Sequence, residues 1–299
     1  MKTNRRKFIE TTITILGGIP LSGLVLSENR GIPVRFGIFT DSHYADRESL
    51  GSRYYRESLK KLSECVDLMN DQKVDFLIEL GDFKDQGNPP EESETIRFLE
   101  VMEKEFCRFR GPRFHVLGNH DHDSISKRGF LERISNTGFP EAAGYYSFTM
   151  NSVHFIVLDA NYSNGGIPYN RGRFDWTDAY IPERQLRWLR KDLRRNNMPS
   201  VIFLHHRLDA TGDNSIYGPG NAHEVRKILE DSGKVLIVFQ GHEHEGALNR
   251  INNITYYTLK GMVEGSGPEN NSYAIAEIGR DLTVTIKGFR RAKSGEFSN

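Results

Sequence analysis

Five short clusters of Asp, His and Asn, each at the end of an apolar run, constrain this chain more than any other feature. Asp41-Ser42-His43 closes the run Arg35–Asp41, Gly81-Asp82 closes Asp75–Asp82, and Gly118-Asn119-His120-Asp121 closes Arg113–Asn119. His205-His206 ends Val201–His205, and Gly241-His242-Glu243-His244 follows Lys234–Gly241. Short apolar runs bounded by turn signals read as buried strands. Polar residues at the carboxyl ends of several core strands converge on one sheet edge, where sites in α/β folds form. The glycines before Asp82, Asn119 and His242 are expected to let the backbone turn sharply as each strand ends.

The intervening sequence supplies helices. Leu59, Leu62, Val66 and Met69 form a stripe of helical period that ends before Lys73. Pro89-Pro90-Glu91-Glu92 reads as a helix start, with Ile96, Leu99 and Phe106 on the apolar side. Residues 181–195 carry Leu186, Trp188, Leu189 and Leu193 at helical spacing, and Val225–Leu229 lies in a further short helix. Tyr145–Met150 and Val153–Asp159 flank Asn151-Ser152, a hairpin signal. The chain then ends in strands, at Ile254–Leu259, Ser272–Ile278 and Leu282–Lys287. Strand–helix alternation followed by a strand-rich last third implies an α/β fold, with two sheets face to face and helices outside. Residues 33–292 are expected to form a single domain.

The clusters offer carboxylates, an amide oxygen and imidazoles, but no thiolate. Such mixed oxygen and nitrogen ligation suits manganese, iron or zinc rather than a soft sulfur site. The set is large enough for two divalent ions with one shared ligand. A pair of ions about 3.5–4 Å apart can clamp a phosphoryl group and acidify a water. Composition points the same way: Lys plus Arg (40) equals Asp plus Glu (40), so no global field draws a nucleic-acid polymer or an anionic membrane. An anionic substrate must then be attracted by a local charge, such as a bound cation. His115 and His154 sit inside strands and read as core or surface residues, while His122 and His223 could at most stand behind the ligands.

In this order the clusters resemble the calcineurin-like metallophosphoesterase superfamily, whose pattern is DxH, GD, GNH[ED], H and GHxH. The resemblance spans residues 41–244 and implies a four-layer α/β/β/α sandwich. It implies one ion held by Asp41, His43, Asp82 and His244, and a second by Asp82, Asn119, His205 and His242, with Asp82 bridging. His120 would serve the leaving group as proton donor or oxyanion stabiliser, with Asp121 orienting its ring.

A narrower likeness lies outside these clusters. Arg53-Tyr54-Tyr55-Arg56, Gln185-Leu186-Arg187-Trp188-Leu189, Asn221 with Glu224-Val225, and Thr258 to Glu264 are similar to the manganese-dependent ADP-ribose/CDP-alcohol diphosphatases. Two departures fall at the site: His43 stands where those enzymes generally carry Gln, and Arg207-Leu208 where they tend to have Pro-Ile. Gln86 departs from the Arg of the protein Ser/Thr phosphatases, and Asp85 from the metal-binding Tyr of the purple acid phosphatases. The expected activity is hydrolysis of phosphodiester or pyrophosphate bonds in small nucleotide or alcohol-phosphate substrates. A broad phosphomonoesterase and a non-catalytic scaffold are the alternatives. Tyr44, Arg53, Arg207 and Asn221 are the candidate substrate-binding residues.

The first thirty residues stand apart. Asn4-Arg5-Arg6-Lys7-Phe8-Ile9-Glu10 is a twin-arginine pattern, followed from Thr11 to Ser27 by a stretch without charge. It reads as a leader for the twin-arginine export machinery, cleaved or kept as an anchor, which would place the enzyme in the periplasm or cell envelope. The two cysteines, Cys65 and Cys107, are too few for a disulfide framework and are expected to be buried thiols.

Overall fold

The computed structural model describes residues 33–298 except 174; the expected twin-arginine leader lies outside the described residues. Twelve strands form two six-stranded sheets. The first has the order β12-β11-β10-β1-β2-β3 and the second β4-β5-β6-β7-β9-β8. In the first sheet, β1 (Val34–Phe39), β2 (Phe76–Glu79) and β3 (Arg113–His115) run parallel. Antiparallel β10 (Ser272–Ile278), β11 (Val284–Arg290) and β12 (Gly295–Phe297) extend that sheet. In the second, β5 (Val153–Val157), β6 (Ser200–Phe203), β7 (Val235–Gln240) and β9 (Ile254–Thr258) are parallel. Each edge of this sheet is antiparallel, closed by β4 (Tyr146–Met150) and β8 (Ala247–Ile251).

Side-chain alternation along β1 shows how the layers are made. Phe36 and Ile38 point between the sheets, while Phe39 points outward to the helices. The inter-sheet core is aromatic: Phe36 stacks on Phe76 at 4.7 Å and meets Phe155, Phe203 and Phe239 edge-on. On the outer face of the first sheet lie α1 (Ser58–Gln72), α2 (Glu92–Phe106) and the short α3 (Lys127–Leu131), through Leu62, Val66, Leu99 and Phe130. On the outer face of the second lie α4 (Glu183–Arg195) and α5 (Ala222–Ser232), through Leu186, Leu189, Val225 and Leu229. These layers are the expected α/β/β/α sandwich. The Asn151-Ser152 hairpin is present, both residues having positive φ (49° and 67°) as a tight hairpin turn requires.

Three details differ from the sequence reading. Strand β8 was not expected, because its middle residues are all exposed and no apolar alternation marks it. Strand pairing also continues to Phe297, beyond the expected end at 292. Cys65 is buried but Cys107 is exposed at the end of α2, and both thiols are free.

Candidate metal centre

The five clusters converge where β1, β2, β3, β6 and β7 end, so both sheets contribute. The backbone there is strained. Asp41, His43, Asp82 and His242 have φ of 51°, 44°, 55° and 69°, a left-handed region that costs an L-residue energy. Ligand side chains are thereby thrown out of the strand direction into a common volume. Only Gly81, with φ of 97°, makes the sharp turn expected of all three glycines. Gly118 and Gly241 serve close approach instead. A Cβ on Gly118 would lie 2.1 Å from the Asp82 nitrogen, and one on Gly241 2.1 Å from the Thr40 hydroxyl.

Two donor sets share one carboxylate. Around the first, His43 Nε2 lies 3.4 Å from Asp82 Oδ2, 3.7 Å from Asp41 Oδ1 and 3.2 Å from His244 Nε2, and His244 Nε2 lies 3.3 Å from Asp41 Oδ1. Around the second, His205 Nε2 lies 3.2 Å from both Asp82 Oδ2 and Asn119 Oδ1, and His242 completes the group with them. Separations near 3.2–3.7 Å are the edges expected of a coordination shell with bonds of about 2.1 Å. Asp82 Oδ2 belongs to both sets, and its other oxygen accepts the His120 N–H at 2.7 Å.

Charge and burial fit cations here. Burial opposes the Asp41 and Asp82 charges. The histidines around them nonetheless hold both carboxyls well below their usual range. Burial likewise disfavours a charged His205, yet Asp82 and Asp41 push it up to about 10, while burial and His205 drive His242 down to about 3. The buried carboxylates thus call for positive charge at this point, which divalent ions would supply. Asp41 Oδ1 and His242 Nε2 are buried without a hydrogen-bond partner among the described residues, as ligand atoms aimed at a cation would be. The residues fit two divalent ions, manganese, iron or zinc by donor type.

His120 flanks this centre, but Asp121 does not orient its ring. The Asp121 carboxylate accepts the backbone N–H groups of Gly118, Phe83 and Asp82 at 2.8, 3.0 and 3.2 Å, and so pins the loops that carry Asn119 and Asp82. Asp85 stands beside the ring instead, its two oxygens 3.4 Å from His120 Nδ1 and 3.3 Å from His43 Nδ1. Burial opposes charge on His120, but Asp85 and then Asp82 push its pKa up to about 9. Buried Lys84 donates to the His120 carbonyl at 2.5 Å and pairs with Asp123, fixing the same turn.

Of the four candidate substrate-binding residues, only Arg53 lines the cavity over the two donor sets. That cavity is about 410 Å³ and is also lined by Trp176, Tyr217, His120 and His242. Arg207 is buried at 4% exposure, its guanidinium paired with Asp209 at 2.8 Å and with Glu243, so it braces the loop after β7. Asn221 spends its amide on both polar atoms of Ile181, at 3.1 and 2.8 Å. Tyr44 packs edge-on against Phe98 at 5.9 Å. Sequence reasoning missed Trp176 and Tyr217, whose rings each lie 5.8 Å from His242. A larger cavity of about 1240 Å³, lined by Lys127, Tyr162 and Arg184, holds none of the ligand residues.

Comparison with known proteins agrees with this geometry. The family model for calcineurin-like phosphoesterases matches residues 34–246. Manganese-dependent ADP-ribose/CDP-alcohol diphosphatases are similar over nearly the whole chain. That of Arabidopsis thaliana is 23% identical, covering 88% of this chain and 96% of its own. That of Oryza sativa subsp. japonica is 27% identical, covering 89% and 94%. Among solved structures, a dimetal phosphatase from Danio rerio superposes with a TM-score of 0.73 at 22% identity, over 89% of this chain and 98% of its own. The chain belongs to the calcineurin-like phosphoesterases and is a metal-dependent hydrolase.

Proposed function

We propose that this enzyme hydrolyses the diphosphate bond of small nucleotide-type substrates, of the ADP-ribose or CDP-alcohol kind, at a centre of two divalent ions. The observation that carries the reading is the Asp82 carboxylate, whose Oδ2 lies within 3.4 Å of histidines in both donor sets. Asp41, His43, Asp82 and His244 would hold one ion, and Asp82, Asn119, His205 and His242 the other. When bound, such a pair polarises phosphoryl oxygens and lowers the pKa of a water. The protein's own part is orientation and proton transfer. Arg53 places a guanidinium in the mouth, where phosphate oxygens are bound well by its fork of N–H groups. Trp176 and Tyr217 offer aromatic surface to a planar base on the His242 side. His120, whose proton is held by Asp85 and Asp82, would supply it to the leaving oxygen. Relatives named for ADP-ribose and CDP-alcohols, covered along nearly their full length, support the substrate class.

The test is kcat/KM with manganese for ADP-ribose, a CDP-alcohol, bis-p-nitrophenyl phosphate and p-nitrophenyl phosphate. The diphosphates should be turned over best. A preference for p-nitrophenyl phosphate would sink this reading in favour of a broad phosphatase. Residues 1–30 act, in the same proposal, as a twin-arginine export leader, supported by Arg5-Arg6 ahead of an uncharged stretch. Replacing both arginines by lysine should keep the enzyme out of the cell envelope, and unchanged export would refute that role.

A further inference from the structure

The segment that follows β9 is bonded to two loops of the site at once. Met262 and Val263 donate their N–H groups to the carbonyls of Thr40 and Asp41, both at 3.0 Å. On its other side, Tyr54 donates to the Val263 carbonyl at 3.0 Å and Gly265 to the Ser52 carbonyl at 2.8 Å. The buried Lys61 ammonium fastens the segment, donating to the carbonyls of Met262, Glu264 and Gly265 at 2.8, 3.1 and 2.6 Å. Residues 262–265 therefore lie between the loop carrying ligand Asp41 and the loop carrying Arg53.

Glu264 occupies the middle of this segment at 7% exposure. Its Oε1 is 2.5 Å from His244 Nδ1, and the same oxygen is 3.8 Å from Arg53 Nε. The other nitrogen of His244 faces the first donor set, 3.3 Å from Asp41 Oδ1 and 3.2 Å from His43 Nε2. A proton held on Nδ1 by Glu264 leaves the Nε2 lone pair for a cation. Carboxylates placed in this way fix the tautomer and the ring angle of metal-binding histidines. Arg53, with 34% of its side chain exposed, is anchored at Nε while its guanidinium lines the cavity.

The geometry points to Glu264 as a positioning residue with two charges in its care. It orients His244 toward the first ion, and it holds Arg53 at the mouth where a substrate phosphate enters. The inference rests on His244 being a metal ligand. It goes beyond the overall reaction because it couples ion binding to phosphate binding through one carboxylate oxygen.

The two duties are separable in experiment. Manganese is titrated calorimetrically into the metal-free full-length protein. KM and kcat are then measured with bis-p-nitrophenyl phosphate at saturating manganese. Glu264→Ala should weaken the first manganese site by about 10–100-fold, the usual effect of removing such a partner. Glu264→Gln, whose amide oxygen still accepts from Nδ1, should recover most of that affinity without restoring the charge opposite Arg53. Arg53→Ala should raise KM several-fold in the wild-type protein and clearly less in the Glu264→Gln protein, because linked residues are non-additive. Unchanged manganese affinity in Glu264→Ala, or an Arg53 effect on KM that is equal or larger without the glutamate, would overturn the inference. If Glu264→Ala does not fold, the Glu264→Gln and Arg53→Ala cycle decides alone. Two tightly bound manganese ions in His244→Ala would remove the ligand assignment, and the inference with it.

Discussion

Gly118→Ala adds one methyl group to a residue that has no side chain to offer the site, yet it should disable the enzyme. The Cβ would stand 2.1 Å from the Asp82 backbone nitrogen, 2.2 Å from Asp82 Oδ1 and 2.9 Å from Asp82 Cα. Two of these three are backbone atoms, so no side-chain rotation relieves the overlap. The gap to the nitrogen has to open from 2.1 Å to at least 3.0 Å, the shortest separation that real Cβ atoms show. Because Asp82 Oδ2 lies within 3.4 Å of histidines in both donor sets, a shift of that size displaces the one carboxylate that both ions would share in the proposed arrangement. A displacement of about 1 Å in a catalytic constellation costs on the order of 10²-fold in rate. The assay is kcat/KM with bis-p-nitrophenyl phosphate under saturating manganese, beside metal content by mass spectrometry. Gly165→Ala is the control, since its nearest neighbour is the Ser163 hydroxyl at an ordinary 3.7 Å. A Gly118→Ala enzyme with wild-type rates and two tightly bound ions would refute the close-approach reasoning and the bridging role of Asp82 together.

Asp82→Ala should lose at least one ion and nearly all turnover, and its thermal midpoint in excess manganese should fall because ions that bind only the folded state stabilise it; two retained ions would contradict the assignment. His120→Ala should keep both ions and lose about 10²–10⁴ in kcat, with a smaller loss for p-nitrophenolate than for a poor alkoxide leaving group. Equal losses across leaving groups would exclude proton donation. A pH effect should also appear at His115, outside both donor sets, which lies 2.9 Å from Glu79 and 3.0 Å from Glu103. Burial opposes its charge, but Glu103 and Glu79 push its pKa up to about 10. A raised pKa stabilises the fold fully below the unfolded value of about 6.5 and loses that stabilisation as pH rises through the folded value. The gap in thermal midpoint between wild type and His115→Gln should therefore be largest near pH 6 and shrink toward pH 10; a gap that widens would reverse the sign.

The parts of the site that could be read from sequence are those where one short segment carries both the strand and its ligand. Asp41, Asp82, Asn119, His205 and His242 each directly follow an apolar run, and a strand has only one carboxyl end, so convergence follows. Side-chain direction was less legible. Asp121 follows His120 in the chain, yet a tight turn sends its carboxylate to three backbone N–H groups rather than to the neighbouring ring. Asp85, three residues past the bridging Asp82, takes that place, and the carboxylate-rich run Asp82-Phe83-Lys84-Asp85 was the available signal. Arg207 lies two residues after His205 but finds Asp209 and Glu243, partners that charge counting cannot assign. Trp176 lies in a loop and Tyr217 ends a short 3-10 helix, Gly212–Tyr217, too brief to show a periodicity, so nothing in their own segments marks them as cavity walls. The edge strand β8 hid for a related reason: an edge with a solvated face needs no apolar pattern, and only Asn252-Asn253, with φ of 48° and 66°, signalled its hairpin.

The departure at His43 gains meaning from the geometry around it. A Gln there would offer one amide oxygen, neutral and unable to respond to a neighbouring acid. His43 presents Nε2 to the first donor set while Asp85 stands 3.3 Å from its Nδ1, the same carboxylate that flanks His120 at 3.4 Å. His244 has the equivalent support from Glu264 at 2.5 Å. Both imidazoles of the first donor set are therefore backed by carboxylates, and each backing makes the ring a stronger donor. In the second set the backing is weaker, since His205 Nδ1 meets only the Leu80 carbonyl at 2.8 Å. The asymmetry arises from side chains of this chain, Asp85 and Glu264 against a single backbone carbonyl.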